Sequence, residues 1–151
     1  MKAIPMNDVR RARILVIDDE ENMRHMLSAI LTRAGYDAEA AADGEQGLAM
    51  LQSDAFDCVL CDIRMPKMDG MTFLKAATAM DAGLTIIMMS AYGTIDRAIE
   101  AMKLGAVDFL EKPADMNQLT KKIKKAHAHK MMVVEKQIEE KMKKIMGLKG
   151  W

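Results

Sequence analysis

The sequence predicts an α/β fold, a doubly wound parallel sheet with helices on both faces. Three observations predict it. Short, branched, apolar runs alternate five times with amphipathic stretches of helical period. The inner runs are apolar at successive positions, so both of their faces are buried, as a parallel sheet between two helical layers requires. Polar residues stand at the ends of these runs, at the carboxyl edge where open sheets of this kind hold their ligands.

The elements follow in order. "RILVI" (13–17) is the first strand. In "NMRHMLSAILTRAG", Met23, Met26, Leu27, Ile30 and Leu31 recur at helical steps, and Gly35 ends the pattern as a C-terminal cap. "YDAEAAA" is a weak second strand, and "DGEQGLAMLQS" a helix starting near Asp43. "FDCVLC" is the third strand, "GMTFLKAATAM" a helix, and "LTIIMMS" the fourth strand. "TIDRAIEAMKLGA" is a helix with Ile95, Ala98, Ile99 and Met102 on one face. "VDFLEK" is the fifth strand, and a helical pattern runs from Asp115 to near Gly147.

A chain of 151 residues, half of them apolar, is long enough for one domain with a real core. No apolar run approaches the ~18 residues that cross a bilayer. The charged start "MKAIPMNDVRRAR" lacks the apolar segment of a signal peptide. Cys58 and Cys61 form a C-x-x-C, but an offset of three puts them on opposite faces of a strand. They are read as core thiols in a reducing compartment rather than a redox or zinc pair. Most of the 17 methionines are read as core as well.

The net charge is zero, yet residues 1–120 carry 12 basic against 19 acidic side chains, and residues 121–151 carry 10 against 3. The basic tail interleaves lysine with apolar residues at helical spacing, so it reads as a solvated helix face rather than a nucleic-acid site. His127 and His129 are two apart, too far round a helix to share a metal, and both are read as exposed.

The strand ends carry the chemistry. Asp18 and Asp19 follow the first strand, Asp62 ends the third, Ser90 the fourth and Lys112 the fifth. Converging carboxylates repel, and a hard divalent cation such as Mg²⁺ relieves this with oxygen ligands. A carboxylate nucleophile beside a metal, a lysine and a hydroxyl suits phosphoryl transfer. Thr94 is better placed than Ser90 to cap the following helix, which leaves Ser90 for a phosphoryl oxygen. Pro113 after Lys112 permits a cis bond that would aim the lysine inward, or marks a plain turn before the last helix.

The motifs "VIDDE" (16–20), "CDIRMPKMDG" (61–70), "MMSAYG" (88–93) and "FLEKP" (109–113), in this order and at these intervals, resemble the receiver domain of two-component response regulators, the CheY-like family. The segment from Ser90 to Pro113 looks most like receivers of nitrogen-regulator-type transcription activators. The resemblance covers about residues 12–128. It implies a flavodoxin-like (βα)5 sheet of strand order 2-1-3-4-5 with an extended C-terminal helix. It implies Asp62 as phosphoacceptor, with Lys112 and Ser90 attending the phosphoryl group. Mg²⁺ would be held by Asp19, Asp62 and the backbone carbonyl of Arg64, with Asp18 acting through water. Ser90 and Phe109 would be the switch pair; the family commonly has Tyr at the latter position, and Phe109 lacks its hydroxyl.

The implied partners are a sensor histidine kinase, a second copy, and an output domain or downstream protein. A response regulator of this kind is cytoplasmic. Arg64 and Tyr92 would tune the access of hydrolytic water. No Walker-type loop follows, so this is a receiver alone or, preferably, a piece of a longer protein. The expected division is a disordered segment over 1–11, the receiver over 12–128 and a helical extension over 129–151. In that extension Met131, Ile138 and Ile145 are seven apart, Val134 and Leu148 are complementary, and Lys141 breaks the series. This reads as a short parallel coiled coil, with Met131, Met132 and Met142 facing a partner, ahead of an amphipathic helix that lies on its own domain or in solvent. Two other readings stay open: a Mg²⁺-dependent phosphohydrolase with an aspartate nucleophile, and a dimerisation module that is never phosphorylated.

Overall fold

A computed structural model of the chain describes residues 11–91, 94–112 and 115–147. The expectations for residues 1–10, Tyr92, Pro113 and Leu148 fall outside these residues.

The strands are β1 (Arg13–Ile17), β2 (Asp37–Ala41), β3 (Cys58–Asp62), β4 (Ile86–Ser90) and β5 (Asp108–Glu111). The helices are α1 (Glu21–Arg33), α2 (Gly44–Ser53), α3 (Gly70–Met80), α4 (Ile95–Lys103) and α5 (Met116–Ile145). The sheet is parallel throughout, in the order β2-β1-β3-β4-β5. Third and fourth strands start two residues later than the apolar runs suggest. Ahead of β3, Asp57 is engaged with Arg13, whose backbone N–H donates to its carboxylate at 2.7 Å.

Four helices start on a side chain that accepts a hydrogen bond from the first turn: Asp43 from Gln46, Asp69 from Thr72, Thr94 from Arg97 and Asp115 from Gln118. Gly105, after α4, has φ 111°, a backbone that only glycine adopts freely.

The sheet divides the core in two. On one face Leu15, Ile17, Val59, Cys61, Ile86 and Met88 pack with Phe73 and Leu74 of α3. On the other, Ile14, Val16, Cys58, Leu60, Ile87 and Met89 pack with Leu27 and Leu31 of α1 and Leu119 and Ile123 of α5. Burying each such side chain contributes about 1.5–3 kcal/mol. Cys58 and Cys61 therefore lie on opposite faces. Burial pushes the Cys58 thiol up to about 12 and raises that of Cys61 as well. Both stay protonated and inert at neutral pH.

One expectation is corrected. Methionine is not mainly a core residue here. Met65, Met71, Met88 and Met89 are buried, two of them in a strand, whereas Met26, Met80, Met102 and Met116 on helices are exposed, as are Met131, Met132 and Met142 in the C-terminal part of α5 and Met146 just after it. An unbranched side chain suits a surface helix as readily as a core, so spacing alone overcounts. The apolar face of α4 also points outward: Ile95, Ile99 and Met102 are exposed, and Ala101 anchors the helix. Among the described residues no helix is long and apolar enough to cross a membrane.

Candidate functional site

The parallel register brings four strand ends to one edge. Ile17 lies opposite Cys61, Asp62 opposite Met89, and Ser90 opposite Glu111. Residues one step beyond β1 and β5, Asp18 and Lys112, enter the same space.

Asp18 is fully buried. Its Oδ1 accepts from the Glu20 N–H at 2.9 Å, and its backbone carbonyl accepts from Arg24 Nη1 at 2.7 Å. Asp19 is exposed. Asp62 is buried as the last residue of β3, and its Oδ1 lies 3.4 Å from the Arg64 N–H. The chain then doubles back: the Gly70 N–H donates to the Ile63 carbonyl at 2.7 Å. Only glycine fits at residue 70, because a Cβ would stand 2.2 Å from the Asp62 carbonyl oxygen. Within this loop Lys67 takes φ 68°, and the Met68 N–H bonds the Pro66 carbonyl at 2.8 Å.

Lys112 is tied to β4 through its N–H, which donates to the Ser90 carbonyl at 2.9 Å. Its ammonium donates to Asp18 Oδ2 and lies 3.1 Å from Asp62 Oδ2. Lysine and aspartate, 50 residues apart in sequence, thus face each other directly.

Carboxylate oxygens of Asp18, Asp19 and Asp62 all lie within 4.8 Å of one another. Burial raises the Asp62 carboxyl above its ordinary value; the Lys112 charge opposes this and the Asp18 charge adds to it. For Lys112, burial pulls downward, but the hydrogen bond to Asp18 and the attraction of Asp62 together leave it raised. Among the described residues three carboxylates gather beside one ammonium, and every side-chain oxygen of the cluster is a hard donor. That deficit of positive charge and that donor set fit a hard divalent cation.

Ser90 is buried at the tip of β4, and Phe109 on β5, opposite Met88, is half-buried against the α3-side core. Arg64 is exposed. With Asp19, Ile63, Met65, Pro66, Asp69 and Arg97 it lines a cleft of about 340 Å³ at the mouth of the site. Sequence reading passed over Arg24 and Arg97. Arg24 had a signal, since it stands one helical turn after Glu20; Arg97 had none, because only the fold places α4 beside the 63–69 loop.

A parallel five-stranded sheet with an acidic cluster and a lysine at its carboxyl edge is the architecture of a phosphoryl-accepting receiver. The profile of the response regulator receiver domain family matches residues 14–124, and the chain belongs to that family. It is 40% identical over 116 residues to the transcriptional regulatory protein ZraR of Escherichia coli, covering 77% of this chain and 26% of that one. The sporulation initiation phosphotransferase F of Bacillus subtilis is 34% identical over 113 residues, 75% of this chain and 91% of its own length. Among solved structures, NtrX from Brucella abortus superposes with a TM-score of 0.81 at 30% identity, over 85% of this chain and 30% of that one. The chain thus spans about a quarter of the length of ZraR.

Proposed function

We propose that Asp62 accepts a phosphoryl group from the phosphohistidine of a sensor kinase and that the chain acts as a phosphorylation switch rather than a turnover enzyme. The observation that carries this reading is the Lys112 ammonium 3.1 Å from Asp62 Oδ2 inside an acid-rich pocket.

An Asp62 carboxylate oxygen attacks phosphorus as the P–N bond breaks, and the electron pair leaves on the imidazole. Asp62 must be ionised, and the adjacent Lys112 favours that form. Lys112 also neutralises charge on the transferred group. Mg²⁺ held by Asp18, Asp19, Asp62 and the Arg64 carbonyl would supply further positive charge to the phosphoryl oxygens. The product is an acyl phosphate that carries about −2 charge where the carboxylate carried −1, and it is lost by slow attack of water on phosphorus. Ser90 donates a hydrogen bond to the new group, its loop moves inward, and Phe109 fills the space left. The surface formed by α4, β5 and α5 then changes.

The exposed Ile95, Ile99 and Met102 lie on that surface and suit an apolar partner. It would serve a second copy, or an output domain or partner that controls transcription. The receiver would end near residue 128 and the extension follow. The working compartment would be the cytoplasm. The same geometry favours the switch over a phosphohydrolase: residue 64, two after the nucleophile, is an arginine, which cannot act as a base at ordinary pH.

The test uses a small acyl phosphate and Mg²⁺, with intact mass as readout. The wild-type chain gains one phosphoryl group and Asp62→Asn gains none. Labelling of Asp62→Asn to the wild-type level removes the assignment. Steady multiple-turnover release of phosphate from a generic phosphoester supports the hydrolase, and no labelling of wild type supports the unphosphorylated module.

A further inference from the structure

We infer that the exposed part of α5 pairs with the same stretch of a second copy of this chain, parallel and in register, along an 11-residue repeat rather than along heptads. The inference deepens the self-association proposed above and does not depend on the phosphoacceptor.

Helix α5 has two parts. Leu119 and Ile123 anchor its first two turns on the sheet. From Met131 onward every described residue is exposed, so none of the described residues of its own domain buries this part of the helix. Five apolar side chains nevertheless keep to one side: Met131, Val134, Ile138, Met142 and Ile145.

Their steps are three, four, four and three residues. Met131 and Met142 are 11 apart, and so are Val134 and Ile145. An 11-residue repeat makes three turns at about 3.67 residues each, close to the 3.6 of a straight helix. The five side chains then fall within roughly 65° of arc. A heptad frame instead seats Lys141 in the seam, where its charge would be buried without a partner. The 11-residue frame moves Lys141 to the flank, in line with Lys130, which is also 11 residues away. Glu135 and Met146, another such pair, line the opposite flank.

The flanks select the occupant and its direction. In a parallel, in-register pair each lysine flank meets the other flank of its neighbour. Lys130 then faces the partner's Glu135, and symmetry forms the contact twice. In an antiparallel pair lysine flank meets lysine flank and repels. The Glu139–Lys143 ion pair at 3.8 Å lies on the outer side of this arrangement and is undisturbed by it. Two methionines in the stripe suit a seam that departs from heptad packing, because their unbranched chains fill irregular gaps. The stretch from Met131 to Ile145 spans only about 21 Å, so the association is weak and depends on concentration.

Sedimentation equilibrium on the full, unphosphorylated chain tests this, with circular dichroism to confirm that each variant keeps its helix content. Wild type is expected to show a monomer–dimer equilibrium. Met142→Lys should raise its dissociation constant by about tenfold or more, and Lys141→Leu should change it by less than about threefold. A silent Met142→Lys with a tightening Lys141→Leu overturns the repeat in favour of heptads. Met131→Cys should oxidise to a covalent dimer, since the native Cys58 and Cys61 are buried. If Met131→Cys cross-links only in a mixture with Ile145→Cys, the parallel direction is wrong. A wild-type chain that stays monomeric at the highest soluble concentration, yet labels on Asp62, overturns the pairing and leaves the proposed function standing. Asp62→Asn should associate as wild type does.

Discussion

Asp62 is held at a cost to the fold. Burial and the neighbouring Asp18 raise its carboxyl, and Lys112 offsets only part of that. An acid with a raised folded value binds its proton more tightly in the native state, so stability is lost as pH rises from the unfolded value of about 3.8 through the folded one. Above that window the deficit is constant. Asp62→Asn removes the charge, while Lys112 keeps Asp18 as its partner. The variant should therefore melt higher than wild type at pH 7 in metal-free buffer, and the gap should close below about pH 3.8. Calorimetry across pH 3–8 checks this; a variant less stable at pH 7 contradicts it. Gly70 is constrained in a different way. An added methyl meets the Asp62 carbonyl and the Ile63 Cα, at 2.2 and 2.7 Å, and both are backbone. Gly70→Ala should cost about 1–3 kcal/mol by urea unfolding, because no side-chain rotation relieves the contact. The Asp-Gly at the end of the 61–70 motif was legible in the sequence; the reason for its glycine is a tertiary approach that no local pattern reveals.

At the scale of elements, the period of the apolar residues identified all five strands and all five helices, because parallel strands and amphipathic helices leave unlike signatures. It could not say which stripe would be covered. Helix α4 has its apolar residues together, and the fold leaves them facing outward. Arg13 was equally hidden. It begins β1, yet it gathers Asp37, Glu39 and Asp54 as ion pairs and stacks on Phe56 at 4.7 Å, partners from two separate stretches. Helix starts were easier, since an N-cap is a local event. At the α3 start Asp69 accepts the Thr72 N–H at 2.8 Å, and this bond holds its carboxyl below the ordinary range. A lowered value contributes stability above the unfolded value, lost as pH falls through the folded one. Asp69→Ala should thus cost about 1 kcal/mol at pH 7. Its deficit should vanish in acid. Both aspartate gaps close at low pH but with opposite signs, and denaturant titrations at pH 7 and pH 3 separate them.

For the molecule as a whole, the site exists only because four strands agree in direction and register. Each ends in a polar residue that would be costly to bury alone, and the sheet brings Asp18, Asp62 and Lys112 into one shared cluster. The strand order followed from resemblance, whereas the convergence of Lys112 and Asp62 on one edge was legible in the polar ends of the apolar runs; composition alone reached no further than a single domain with a basic tail. The tail divides the molecule by burial. Its last core anchors are Leu119 and Ile123, and residues 131–147 are exposed throughout. Removing residues 131–151 should therefore change the stability of the folded monomer by less than about 1 kcal/mol, a few degrees in midpoint. Phosphoryl uptake on Asp62 should persist. In the unphosphorylated chain the rise of the melting midpoint with protein concentration should disappear, because before phosphorylation the pairing rests on α5. Scanning calorimetry of both lengths over a hundredfold range of concentration decides it. A shortened chain that melts more than about 10 °C lower at all concentrations would mean that the exposed helix supports the receiver fold itself, against its burial.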